Sequence, residues 1–233
     1  MIIHVDSHTD CMSGKRDPLL NRILPGGESL LMLTDGSEMA FAHSYQPVMD
    51  LVRESFLDSL SRSTGSARER LELAVIDLET LMHERFPSSD RFGEDTYAAT
   101  FLAALISGDQ GFLGWIGSQQ AKLFRGRRCV GATVPHVTVV PGTDRGDFVV
   151  TSRVLCTSAD QSREVPDIEG PWRFMPGDVL VVADYRLFSL FSDDELIAIL
   201  ANEPTSAARS LAEEAQRKKP DFMRSSLIAR FAC

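Results

Sequence analysis

The chain has 233 residues, 43% of them apolar and 24% charged, which suits a globular protein with a sizeable buried core and excludes disordered and fibrous classes. Twenty-four basic against thirty-three acidic side chains leave a formal charge of −9 and a pI near 5.1. An acidic chain without a Lys/Arg block is ill suited to phosphate backbones, so no nucleic-acid partner is expected.

No apolar run approaches the ~20 residues of a membrane helix. The start, Met-Ile-Ile-His-Val-Asp, has no basic segment ahead of an apolar stretch, so neither a membrane partner nor a signal peptide is expected. Cys11, Cys129, Cys156 and Cys233 are scattered without C-x-x-C spacing. Free thiols in a reducing compartment follow, with the cytoplasm as the expected location. The first three are read as small core residues beside strands.

Residues 1–10 alternate, and His4, Asp6, His8 and Asp10 fall on one face of an extended strand. Residues 12–27 lose periodicity and end in the turn signal Pro25-Gly26-Gly27. Residues 28–34 form a short apolar strand that stops at Asp35-Gly36. From Val48 the period becomes 3.6: Val48, Leu51, Val52, Phe56 and Leu60 make one helix stripe, broken at residues 61–65. Leu71, Ala74, Val75, Leu78, Leu81, Met82 and Phe86 make a second, with Pro87 just beyond it.

Strand signals return over 96–106, bounded by the turn 107–110. Residues 111–116 and 120–125 read as the next hairpin, followed by 129–134 and 137–140 around Pro135, then 148–155 and 178–183. Ser192 with Glu195 is a capping box opening a helix to Asn202. Residues 204–218 form another helix with a basic end, and 227–231 a closing strand. Phe188, Leu190 and Phe191 form an apolar turn, read as core in preference to a partner-docking patch. No linker or repeat interrupts this order. It predicts one α+β domain over residues 1–233, with a helix pair on each outer face of two packed antiparallel sheets.

Four joints in this order resemble the metal-dependent serine/threonine protein phosphatases, the PPM or type 2C family. Gly14-Lys15-Arg16 resembles the family's opening G-x-R, although its acidic pair is replaced by Leu20 and Asn21. Thr34-Asp35-Gly36 resembles the strand-ending A-D-G. Ala99-Thr100 and Ile116-Gly117-Ser118-Gln119 resemble the G-T-T strand and the V-G-D-S-R turn. Pro176-Gly177-Asp178 running to Ala183-Asp184, followed by Ser192-Asp193-Asp194-Glu195, resembles P-G-D-x-L-L-L-x-S-D-G and its acidic helix. Residues 223–228 resemble the closing D-N-x-S/T strand. The resemblance implies the αββα sandwich of that family.

It also implies two Mg²⁺ or Mn²⁺ ions between the sheets, which activate a bridging water against a phosphate ester and neutralise charge on the phosphoryl group. Carried over by residue, Asp35, the Gly36 carbonyl and Asp184 are the metal ligands, and Arg16 binds phosphate. Ser118 stands where the family has an aspartate, and Met223 or Arg224 where it has the last one. Two carboxylates are left where a two-metal centre draws on more, so a weak single Mg²⁺ or Mn²⁺, or none, is expected.

The leading expectation is a pseudophosphatase acting as a regulatory module, with a phosphoprotein or kinase as its protein partner. The alternative is an active Mn²⁺/Mg²⁺-dependent phosphatase in which Asp6, Asp10, Asp17, Glu38 or Asp221 replaces the lost ligands. A third reading takes His4, Asp6, His8 and Asp10 as ligands for Zn²⁺ or Mn²⁺, since alternate strand residues stand ~7 Å apart. Against it, a polar outer face is the usual guard of an edge strand. On their own residues, Asp35-Gly36 also suits a turn, Asp184 a helix cap, and Arg16 a solvated surface.

Overall fold

A computed structural model of the chain describes residues 1–9, 19–36, 45–86, 97–141, 148–157, 165–202, 206–220 and 225–233. In chain order its elements are β1 (Ile2–Thr9), β2 (Leu19–Ile23), β3 (Ser29–Gly36), α1 (Tyr45–Arg62), α2 (Ala67–Arg85), β4 (Ala98–Ser107), β5 (Gln110–Ile116), β6 (Gln119–Arg125) and β7 (Arg128–Ala132). There follow β8 (Val137–Val140), β9 (Phe148–Thr151), β10 (Leu155–Cys156), β11 (Asp167–Arg173), β12 (Val179–Asp184), α3 (Tyr185–Phe188), α4 (Asp193–Asn202), α5 (Ala207–Lys218) and β13 (Ser225–Ala232).

The strands form two large antiparallel sheets. One runs β1-β13-β12-β6-β7; the other runs β11-β5-β4-β3-β2, with β10 on β4. Three apolar cores show how they stack. Leu31, Leu33, Leu102, Ala104, Leu180, Val182, Leu227 and Ala229 meet between the sheets. Residues of opposite parity, among them Leu30, Met32, Phe101 and Ala103, face α1 and α2 through Phe56, Leu71 and Leu78. Val181, Ala183 and Ile228 face α3–α5 through Phe188, Leu196 and Leu211. The order is therefore helix, sheet, sheet, helix, as expected. It follows from strands buried on both faces, whose alternate residues must each find an apolar partner layer.

The helices begin where the sequence supplies donors and acceptors. Ser66 caps α2 with Glu69 completing a capping box. Ser192 and Glu195 do the same for α4, with the Glu195 amide donating to Ser192 Oγ at 3.3 Å and the Ser192 amide to Glu195 Oε2 at 2.7 Å. Both apolar stripes fall on the predicted faces: Val48, Val52, Phe56 and Leu60 on α1, and Leu71, Ala74, Val75, Leu78 and Met82 on α2, are buried. Phe188 and Phe191 are core residues as expected.

Several expectations are corrected. Leu19–Ile23 and Asp167–Arg173 are strands that the sequence reading left unassigned. Both are sheet-edge strands, and β11 contains Gly170-Pro171 and a register shift between Glu169 and Trp172. Residues 111–116 and 120–125 do not form a hairpin. β5 pairs with β4 in one sheet and β6 with β12 in the other, so Gly117-Ser118 is the crossing point between sheets. The predicted strand 148–155 is two pieces, β9 paired only with β8, and β10 on β4. The second helical layer has three helices, α3 being the single turn formed from Tyr185–Phe188. Cys129 and Cys156 are only half-buried, and burial raises the Cys129 thiol pKa, helped by the Asp193 charge. Cys11 lies outside the described residues.

Candidate functional site

The strand registers bring several chain segments to one end of the sandwich. Asp35 at the end of β3 pairs with Thr100 on β4, and Gly36 with Ala99. Asp184 at the end of β12 pairs with Gln119 at the start of β6. Ala183 pairs with Ser226, and Ser225 with Thr9. Asp35 continues the alternate row of Leu31 and Leu33, and Asp184 that of Leu180 and Val182; both rows face the space between the sheets. Each sheet thus delivers one carboxylate residue to the same inter-sheet end. The sequence reading paired these two, and the fold brings their strand ends together.

Hydrogen bonds tie the two sheets here. Thr100 Oγ1 donates to the Asp35 carbonyl at 3.0 Å and accepts from Gln119 Nε2 at 2.8 Å. Gln119 is 1% exposed, and its Oε1 has no hydrogen-bond partner among the described residues. Gly117 has φ +107° and lies against Thr100. On its other side, the Gly117 amide donates to His136 Nδ1 at 3.1 Å and the His136 amide donates to the Gly117 carbonyl at 2.8 Å. His136 Nε2 lies 3.0 Å from Asp167 Oδ2 and 2.9 Å from Arg153 Nη1, so the three side chains form one cluster. Burial would raise the Asp167 carboxyl, but the His136 hydrogen bond and the Arg153 guanidinium outweigh it and hold it below its ordinary value. Trp115 stacks on His136 with centroids 6.2 Å apart. Neither His136 nor Asp167 was singled out in the sequence, because nothing in their spacing announces a meeting 31 residues apart.

Asp184 is fully engaged by the protein. Its Oδ1 accepts from the Arg186 amide at 2.8 Å and from Arg186 Nε at 2.9 Å. Its Oδ2 accepts from Ser118 Oγ at 2.5 Å, with Arg186 Nη2 at 3.4 Å. The backbone contact makes Asp184 the N-cap of α3. The helix-cap role, one of the two alternatives in the sequence, is realised. Ser118 is 3% exposed, and its carbonyl accepts from the Tyr185 amide at 2.8 Å, which fastens the two turns together.

A carboxylate offers about four lone-pair directions. Those of Asp184 face donors of the chain, one of them a guanidinium that stays charged at any physiological pH. Mg²⁺ and Mn²⁺ require free oxygen ligands, and a neighbouring cation opposes them. Among the described residues no three His, Cys, Asp or Glu side chains converge on a common point. The described donor set therefore does not fit a pair of divalent ions; the opposite sheet brings the ends of β3 and β4, with Asp35 and Gly36, to the same end of the sandwich.

The remaining expected site residues fall elsewhere or outside the description. Arg16, Asp10, Asp17, Glu38, Asp221, Met223 and Arg224 are not among the described residues. Asn21 is exposed and pairs with Leu31, four residues back along β3 from Asp35, while Leu20 is buried on the helix side. Asp6 is not a replacement ligand. Ile3 and Val5 point into the inter-sheet core, so Asp6 faces the helices, where its Oδ2 accepts from the Ala208 amide at 2.8 Å. His4 and His8 share that face with Asp6, and the described part of the ladder makes no three-ligand cluster. At the opposite end of β12, the matched Asp178 is structural: it is 1% exposed and takes a two-pronged bond from Arg125, Nε at 2.9 Å and Nη2 at 2.8 Å.

No protein-family model matches the sequence, and no curated protein matches it. Solved structures do match over the whole chain. Serine/threonine phosphatase Stp1 from Staphylococcus aureus superposes with a TM-score of 0.77 at 15% identity, over 100% of this chain and 96% of that one. The Mycobacterium tuberculosis serine/threonine phosphatase PstP/Ppp gives 0.72 at 17%, over 100% of both chains. The catalytic domain of PstP in complex with two manganese ions gives 0.66 at 16%, over 99% of both. The chain has the fold of the PPM-type serine/threonine phosphatases, as the sequence resemblance implied. No helix of the described residues is long and apolar enough to cross a membrane.

Proposed function

We propose that this protein is a regulatory module on the type 2C phosphatase scaffold, which binds a protein partner without metal-dependent turnover. The observation that carries the reading is the state of Asp184. Its carboxylate is bound by Arg186 and Ser118, where the family resemblance would have it bind metal. The serine at position 118 removes a second carboxylate from the same corner. Without paired metals no group among the described residues activates a water or neutralises a phosphoryl group, and binding is the activity left to the scaffold.

A phosphoprotein or a kinase is the class of partner that a phosphatase scaffold is shaped to meet, and the cytoplasm is where free thiols and such partners coexist. The test is phosphate release from p-nitrophenyl phosphate and from phosphopeptides across a Mn²⁺ titration. Asp35→Asn and Asp184→Asn serve as controls. Wild type should release no more than either variant. Release that rises with Mn²⁺ and vanishes in both variants would overturn the proposal. It would make the chain an enzyme with ligands drawn from Asp10, Asp17, Glu38 or Asp221.

A further inference from the structure

We infer that Arg186 is the resident cation of this site: an intramolecular latch that occupies Asp184 in place of a divalent ion. The inference rests on the functional reading above and names the residue that enforces it. Arg186 approaches Asp184 with three donors from one residue, its amide at 2.8 Å, Nε at 2.9 Å and Nη2 at 3.4 Å. The first of these is fixed by the helix turn itself, since Asp184 caps α3 and Arg186 is its second residue. Side-chain and backbone donors therefore come as a unit. Ser118 takes the remaining direction on Oδ2 from the other strand.

Competition between this latch and a metal is unequal. Mg²⁺ gives up its waters reluctantly, and a carboxylate already neutralised by a guanidinium offers it little charge. A guanidinium stays charged across the physiological pH range, so a pH change within that range does not discharge Arg186. Arg186 is 47% exposed on its side chain while Asp184 is 16% exposed. Removing the guanidinium thus leaves the carboxylate partly sheltered and without its cationic partner, the condition in which a divalent ion is most welcome.

The experiment is Mn²⁺ binding read from the paramagnetic resonance of the free aquo-ion, together with melting temperature with and without Mn²⁺. Wild type, Asp184→Asn, Arg186→Met and the double variant Arg186→Met/Asp184→Asn are compared. Wild type and Asp184→Asn should titrate alike. Arg186→Met should gain a site at least ~10-fold tighter than any in wild type, the scale expected when a positive charge a few ångströms away is removed. That site should disappear in the double variant, and Mn²⁺ should raise the melting temperature of Arg186→Met alone. The latch is refuted by wild-type Mn²⁺ binding that depends on Asp184, or by a folded Arg186→Met that gains no site. If Arg186→Met does not fold, Arg186→Gln carries the same expectation, because it can still hydrogen-bond Asp184 while lacking the charge. Mn²⁺-dependent phosphate release by wild type that survives Asp184→Asn but vanishes in Asp35→Asn would defeat the functional reading and leave the latch standing. Silence in that assay with no gained Mn²⁺ site in Arg186→Met would do the reverse.

Discussion

Gly117 lies so close to Thr100 that a Cβ built on it would stand 2.3 Å from Thr100 Cβ and 2.4 Å from its Cγ2. The close approach lets the chain leave one sheet at Ile116 and enter the other at Gln119 within a single turn. It also carries Ser118 to Asp184. A side chain at 117 would push the two sheet ends apart at the point where Thr100, Gln119 and Asp184 are tied together.

Gly117→Ala should therefore be severe. A positive φ of 107° strains any L side chain and the clash adds overpacking, so a loss of roughly 3 kcal/mol or more is expected. Gly126→Ala is the control: φ is also positive, at 58°, but nothing lies within 4 Å, and the loss should stay near ~1 kcal/mol. Urea denaturation of the two variants measures both. Equal losses would show that backbone strain alone, and not contact with Thr100, makes glycine necessary.

Asp6 caps a helix that its own N-cap residue leaves uncapped. Ser206 makes no side-chain cap bond, and the Ala208 amide is satisfied by Asp6 from β1. Asp6→Ala should cost ~1 kcal/mol in denaturant unfolding, the usual worth of an N-cap. It should leave Mn²⁺ binding unchanged, whereas a metal site on the β1 face would be damaged.

Glu195 gives a pH dependence. The Lys218 hydrogen bond, followed by that of the Ser192 amide, lowers its pKa from 4.5 to about 2. The folded state therefore binds this proton less readily than the unfolded state. The stabilisation is present above pH 4.5 and is lost as pH falls through the folded value near 2. Glu195→Gln should flatten the decline of melting temperature over that window, and Lys218→Met should flatten it in part, because the Ser192 bonds remain.

Gln119 joins one useful hydrogen bond to one unpartnered acceptor. Gln119→Met loses the donation to Thr100 Oγ1 but removes a buried oxygen that has no partner among the described residues. These oppose each other, and the net change should lie within ~1 kcal/mol. Thr100→Val, which removes the hydroxyl holding the Asp35 carbonyl and strands Gln119 Nε2 as well, should cost more. Thermal melts of the two variants side by side decide the order.

The layer order was legible in the sequence because burial on both faces leaves a plain signature. The 3.6-residue stripes of α1 and α2, the apolar runs that became β3, β4 and β12, and the Ser192–Glu195 box all appear where they were expected. Edge strands were not legible. β2 and β11 are paired on one side only, and their Asn, Arg, Gly and Pro residues carry no clear alternation. Strand pairing was illegible where two strands adjoin in sequence but part in space. A short turn at 117–118 looks the same whether it closes a hairpin or crosses between sheets.

For the site, the sequence by itself determined which residue types were available: Asp35 and Asp184 at strand ends, serine in place of an aspartate at 118, and no nucleophile or phosphate-loop motif to suggest other chemistry. What those residues do was decided by tertiary structure. Arg186 is two positions from Asp184, and read along the chain it is only another charged residue after a strand. It becomes the partner of that carboxylate because the α3 turn folds it back, while the turn at 117–118 brings Ser118 to the other oxygen from 66 residues away. A carboxylate's availability to a metal depends on which donors surround it, and those donors are set by packing between layers and not by spacing along the chain.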